Sequence, residues 1–168
     1  DTYTPDFIGD ILGGHITRRT YGPYREWCPP QENENYSIGV DVAEGLAYGD
    51  YSCAQVIDSQ GRQVACWHGH IDPWDWGNVV QQIGERYNNA YVIVERNNHG
   101  LTTLRRLQEM SYSNLFVEHS VDGAYSDKMT KRGGFLTTSK TKPLIVDNLA
   151  ALLRQSQSGI ADMDLLGE

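Results

Sequence analysis

Two acidic residues in this chain stand where an acid is costly. In Ile38-Gly39-Val40-Asp41 a carboxylate lies within an otherwise apolar strand, and in Val92-Ile93-Val94-Glu95 another stands at the end of one. A charge in such surroundings costs several kcal/mol unless hydrogen-bond donors or a cation meet it. Phosphodiester chemistry with metal ions needs this kind of residue. Carboxylates from adjacent strands hold two divalent ions, Mg2+ or Mn2+, about 3.5 to 4 Å apart around a phosphate and so activate a hydroxyl. Either acid alone reads as a strand-end residue reaching solvent or as a helix cap. The pair together favours a metal site, with Asp41 and Glu95 as ligands and catalytic residues.

Other reactive side chains carry weaker signals. Asp50 follows Gly49 and suits a turn, although it could orient Asp41 or a bound water. Glu44, before Gly45, suits a turn cap. His68 and His70 share a strand face at a spacing compatible with a metal, yet no third ligand lies near them in sequence. His99, close after Glu95, is placed to contact a phosphate or a water. Cys28, Cys53 and Cys66 are odd in number and lack paired zinc spacing, which points to buried structural thiols in a reducing compartment.

The elements that must position these groups follow from pattern. Tyr36 to Ala43, Ser52 to Asp58 and Gln63 to His68 are three β-branched runs, the last two joined by a Ser59-Gln60-Gly61 turn, and they predict an antiparallel meander. Asp72 as N-cap and Pro73 in the first turn open a helix striped by Trp76, Val79, Val80 and Ile83. Trp67, Trp74 and Trp76 are expected to pack in the core. The run AYVIVE, residues 90 to 95, is nearly continuous and predicts a strand buried on both faces in parallel pairing. A helix from Gly100 to Met110, a strand at Leu115 to Glu118, a polar loop to Ser139 and a helix from Thr141 to about Gln157 follow. On that last helix Leu144, Ile145, Leu149, Leu152 and Leu153 form one face, and Asp147 projects opposite, toward solvent. GIADMDLLGE has edge-strand character, with Asp162 and Asp164 outward. Residues 1 to 35 carry Gly13-Gly14, Pro29-Pro30 and a QENEN stretch without sustained period, and are expected to be an irregular lead-in. The order predicts one α/β domain over residues 36 to 168, with a mixed sheet of antiparallel meander plus parallel strands flanked by helices.

Bulk properties narrow the function. No long apolar run encodes a membrane span, and no membrane partner is expected. The net charge of −8 is awkward for a nucleic-acid binder, because phosphate contacts supply most sequence-independent affinity. Local basic clusters exist at Arg18 and Arg19, at Arg105 and Arg106, from Lys128 to Arg132, and at Lys140 and Lys142. Each alone suits a solvated face. Lys128, Lys131, Arg132, Lys140 and Lys142, in the segment before the last helix, are the candidate DNA track.

The segment Gly39-Val40-Asp41-Val42-Ala43-Glu44-Gly45, continuing through Gly49-Asp50-Tyr51-Ser52, resembles the first nuclease motif of the large terminase subunits of tailed bacteriophages. Val92 through Gly100 is similar to their second motif, an acid at a strand end followed by a polar turn and a Gly entering a helix. Gly133-Gly134-Phe135, Thr137-Thr138 and Thr141-Lys142-Pro143 resemble the stretch before their next helix. The resemblance covers roughly residues 36 to 168. It implies a ribonuclease H-like fold and a magnesium- or manganese-dependent endonuclease that cuts concatemeric double-stranded DNA in the host cell cytoplasm. Its implied partners are an ATPase domain on the same polypeptide, a small terminase subunit and a portal protein.

Two departures qualify the resemblance. The chain holds no G-x-x-x-x-G-K-[ST] loop, so ATP hydrolysis is not expected of it, and residues 1 to 35 would be the linker from the ATPase domain. The third carboxylate of the family, in a His-Asp-Asp-like stretch, has no match before Glu168; the sequence is expected to stop short of that ligand unless Asp147 serves. Two other readings fit part of the pattern. A non-catalytic docking module of a packaging motor would show no divalent binding at Asp41 and Glu95. An actin-like or sugar-kinase ATPase would need a duplicated half and Gly-rich phosphate loops that do not occur.

Overall fold

The computed structural model describes residues 4–121, 129–155 and 159–166. Its centre is the predicted meander: β4 (Tyr36–Asp41), β5 (Ser52–Asp58) and β6 (Gln63–Gly69), paired antiparallel in chain order. Gly61, at φ 74°, makes the turn between β5 and β6, where a side chain would strain the backbone. Three earlier strands extend this sheet: β1 (Phe7–Leu12), β2 (His15–Arg18) and β3 (Tyr24–Glu26). β7 (Tyr91–Val94) closes the other side, giving the order β2-β1-β3-β6-β5-β4-β7. β7 runs parallel to β4, and the rest of the seven-stranded sheet is antiparallel. The fold is the expected mixed α/β sheet of ribonuclease H-like type.

Residues 7 to 26 therefore correct the expected irregular lead-in. They are too short to bury a core of their own, and the Gly13-Gly14 pair that reads as a loop is the tight turn of the β1–β2 hairpin, with both φ values positive. Tertiary contacts hold them in place. Glu26, buried beneath helix α1 (Pro73–Arg86), accepts two hydrogen bonds from Arg86, at 2.7 and 2.8 Å, and one from the Tyr24 hydroxyl at 2.7 Å. The Tyr87 hydroxyl donates to it at 3.2 Å. Burial acts upward on the Glu26 carboxyl, but the donors from Arg86, Tyr24 and Tyr87 outweigh it and hold the group below its ordinary range.

One face of the sheet packs against α1 and α2 (Gly100–Glu109). Asp72 caps α1 as expected, accepting from the backbone N–H of Trp74 at 2.9 Å. Trp76, Val80 and Ile83 are fully buried against Ile38, Ala54, Val56 and Trp67, each large side chain contributing roughly 1.5 to 3 kcal/mol. Trp74 departs from the expected core position: it is exposed, with the Arg106 guanidinium 5.0 Å from its ring centre. The Thr103 hydroxyl donates to the Pro73 carbonyl at 2.8 Å and locks α2 onto α1.

Further expectations change in detail. β7 is buried at Val92 and Val94 only, because α1 and α2 cover one face while the other opens to a cleft. Leu115 makes an isolated bridge to Val92; the strand proper is β8 (Val117–Val121), and the expected loop contains its partner β9 (Met129–Gly133). Helix α3 (Thr141–Arg154) forms, but its leucine-rich face is not buried. Amphipathic spacing encodes that face without naming its partner. The closing segment holds one bridge, Arg62 with Gly159, and a short helix α4 (Met163–Leu166) in place of an edge strand. Asp162 is consequently buried, paired with Arg25 at 2.9 Å, and not outward. The three cysteines are free, but only Cys66 is buried, and Cys28 is exposed. No described helix is long and apolar enough to cross a membrane.

Arg86→Ala should destabilise the fold by about 2 to 4 kcal/mol, somewhat under the cost of breaking a wholly buried pair because Arg86 is a third exposed. Because Glu26 is held below its ordinary range, its contribution is present above that range and fades on acidification through the lowered value. Urea unfolding at neutral pH checks the loss, and the difference between parent and variant should shrink in acid.

Candidate active site

Asp41 and Glu95, far apart in sequence, lie on parallel strands and meet at the same end of the sheet. The parallel register sets Val40 opposite Val94, and the Glu95 N–H donates to the Val40 carbonyl at 2.8 Å. Asp41 therefore stands beside Glu95 at the carboxyl ends of β4 and β7, where clefts of α/β sheets form. The Asp41 side chain reaches solvent, whereas Glu95 is half-buried. Their carboxyl groups are close enough to share a hydrogen bond. Partial burial, then that bond, then the charges of Glu95 and Asp50 raise the Asp41 carboxyl above its ordinary range, against a lowering from the Val42 N–H.

The backbone around Asp41 is held from three sides. Its carbonyl accepts from the Trp76 indole N–H at 3.1 Å, its Oδ1 accepts from the Val42 N–H at 2.8 Å, and the Ala43 N–H donates to the Ser52 hydroxyl at 3.0 Å. On the far side of Glu95, the Phe135 N–H donates to the Val94 carbonyl at 2.8 Å and the Arg96 N–H to the Phe135 carbonyl at 2.7 Å. An open cleft of about 310 Å³ results, lined by Asp41, Glu95, Gly39, Gln55, Phe135 and Thr137. A second, of about 440 Å³, continues from Asp41 past Tyr51, Cys53 and His68 to Asp162.

The other candidates fall as follows. Asp50 is exposed in the loop between β4 and β5, near enough for its charge to act on Asp41. His99 faces Glu44 at 3.4 Å across the gap between the two motifs. His70 stacks on Tyr51 with 4.1 Å between ring centres, and His68 lies tilted against it at 4.5 Å. Asp147 is exposed on α3. Arg132, Lys140 and Lys142 are exposed; Lys131 lies on β9, and Lys128 is outside the described residues. Among the described residues no group of three His, Cys, Asp or Glu side chains is arranged to hold a metal ion. The sequence alone gave Thr137 no part in the site and read Cys53 as a buried structural thiol; the Phe135 bridge brings the first to the cleft, and register with Asp41 places the second there.

The chain shares the fold of large terminase nucleases. Over 94% of this chain and 77% of the other, it superposes on the large terminase nuclease of the thermophilic phage G20c with bound magnesium, with a TM-score of 0.67 and 19% identity. The zinc-bound form of that nuclease gives 0.66 at 19% identity, over 94% of this chain and 85% of the other. The large terminase nuclease domain of Thermus phage P74-26 gives 0.63 at 19% identity, over 89% and 68%. No family model matches the chain, and no curated protein sequence matches it.

Because the Asp41 carboxyl is raised, its ionisation works against the metal-free fold. Stability from the protonated group is present below the ordinary carboxylate range and lost as pH rises through the raised value. Asp41→Asn should therefore raise the melting temperature in chelator near neutral pH and leave it unchanged in acid. Thermal melts at the two pH values check this; a lower melting temperature at neutral pH would show that the charge is well satisfied without a cation.

Proposed function

We propose that this chain is the nuclease part of a viral DNA-packaging terminase, a divalent-metal-dependent endonuclease acting on double-stranded DNA. The observation that carries this reading is the pair of acids, Asp41 and Glu95, side by side in an open cleft. The shared fold with nucleases crystallised with magnesium, cobalt and zinc supports it. The donor set suits a hard cation, since magnesium is commonly bound through one or two carboxylates, with water and phosphate oxygens completing six positions. Asp41 and Glu95 would hold such an ion. When bound, it would supply Lewis acidity toward a phosphoryl oxygen and a water more readily ionised.

The chain's own residues supply the rest. Trp76 and the Val42 N–H fix where the Asp41 carboxylate points, so little is reorganised when a phosphate arrives. The cleft is open and shallow, as a duplex backbone requires. Arg132, Lys140 and Lys142, with Lys128 and Lys131, are the side chains we assign to phosphate contact. With a net charge of −8, DNA binding by this chain alone is weak and steeply salt-dependent. In this reading an ATPase domain, a small terminase subunit and a portal protein hold DNA near the site and set when it is cut, all within the host cell cytoplasm.

Plasmid nicking with manganese tests the reading. Asp41→Asn and Glu95→Gln should each reduce nicking by about a hundredfold or more while leaving the fold intact, and retained nicking at saturating manganese would remove that acid from the site. Manganese should raise the melting temperature more at about pH 8 than at about pH 5, because the two acids must ionise together to share the ion. Replacing Lys131 and Arg132 by Ala should weaken DNA binding alike for all sequences and lower the logarithmic salt slope by roughly one per lost contact. An unchanged slope would move the DNA track elsewhere, first to Arg105 and Arg106.

A further inference from the structure

The main-chain ladder between β4 and β7 stops at the site. Its last rung is the Glu95 N–H to the Val40 carbonyl. In a parallel pair the next two rungs would run from the Val42 N–H to the Glu95 carbonyl and then from the residue 97 N–H to the Val42 carbonyl, but the Val42 N–H turns to Asp41 Oδ1 instead. By then the chain has left the strand to turn into α2. The Val42 carbonyl instead accepts from the side-chain amide of Asn97, Nδ2 to O at 3.1 Å. The other end of that amide is also held, because the Gly100 N–H donates to Asn97 Oδ1 at 2.7 Å. His99 makes no side-chain cap, so Asn97 provides the acceptor at the start of α2. Gly100 allows the close turn: a methyl group there would run into the Glu95 carbonyl oxygen.

We propose that Asn97 is a positioning residue that sets the separation of Asp41 and Glu95, acting as a side-chain rung directly beyond them. This rests on the proposed metal-dependent nuclease reading. Two carboxylates side by side repel when ionised, and past the last main-chain rung the loops carrying them would otherwise be free to part. Asn97 resists that parting from one residue beyond Asp41 and two beyond Glu95. The side-chain type matters: an amide donates to Val42 and accepts from Gly100 without adding charge. Aspartate lacks the donor. Serine can cap Gly100 but is too short to reach Val42.

Those two substitutions separate positioning from helix capping. Asn97→Ser keeps an acceptor for the Gly100 N–H and should retain a melting temperature close to the parent's, whereas Asn97→Ala should lose about 2 to 4 °C. Both should weaken manganese binding, measured by isothermal titration, and lower kcat for plasmid nicking by about tenfold or more, with KM for DNA unchanged. Asn97→Asp is isosteric and still caps, and its extra negative charge near the site would by itself strengthen cation binding. Weaker manganese binding by Asn97→Asp is the expected result. Parental manganese affinity and kcat in Asn97→Ser, or tighter binding in Asn97→Asp, would overturn the positioning role while leaving the nuclease reading in place. A parent protein that neither binds manganese nor nicks DNA would overturn both.

Discussion

The parallel register of β4 with β7, in which Val40 faces Val94, puts the next residue of each strand at the same end of the sheet. That residue is acidic in both cases. A slip of one residue along β7 would turn Glu95 and Ile93 together toward the core and Val92 and Val94 out to the cleft, so register and chemistry are a single constraint. Trp76, Ser52, Phe135 and Asn97 all act at this junction, from helix, strand, bridge and turn respectively.

That constraint needs a rigid floor, which the packing of α1 supplies. Trp76 is buried against Trp67, with ring centres 4.5 Å apart, and its indole N–H still reaches the Asp41 carbonyl. One side chain thus joins the core to the cleft. At the far end of the same helix Arg86 engages Glu26, which fastens β1 to β3 onto the sheet. The helix therefore spans from the junction of the two acids to the anchor of the outer strands. Thr103 adds a third link by tying α2 to the first turn of α1.

Electrostatics pull in opposite directions within this small molecule. The buried Glu26 is surrounded by donors and rests below its ordinary range, whereas Asp41, partly buried and facing Glu95 and Asp50, rests above. A carboxylate satisfied by its own protein has no need of a cation; one crowded by like charges gains from it. Asp41 is thereby set apart from the structural acids Glu26, Asp58 and Asp162, each paired with an arginine.

Local pattern was enough to establish the meander, the Asp72-capped helix and the parallel strand that ends beside Glu95. Each depends on interactions within a few residues: apolar alternation, a capping side chain, a Gly turn, an acid closing an apolar run. Tertiary structure decided what depends on partners distant in sequence. Residues 7 to 26 carry too little apolar surface to announce themselves, and they are strands because Arg86 and the edge of β6 receive them. Asp162 looked outward by alternation and is buried because Arg25, on β3, lies across from it. The face of α3 was legible, but no partner for it could be read from spacing. Asn97 was passed over as part of a polar turn, since only the closeness of Val42, 55 positions earlier, gives its amide something to hold.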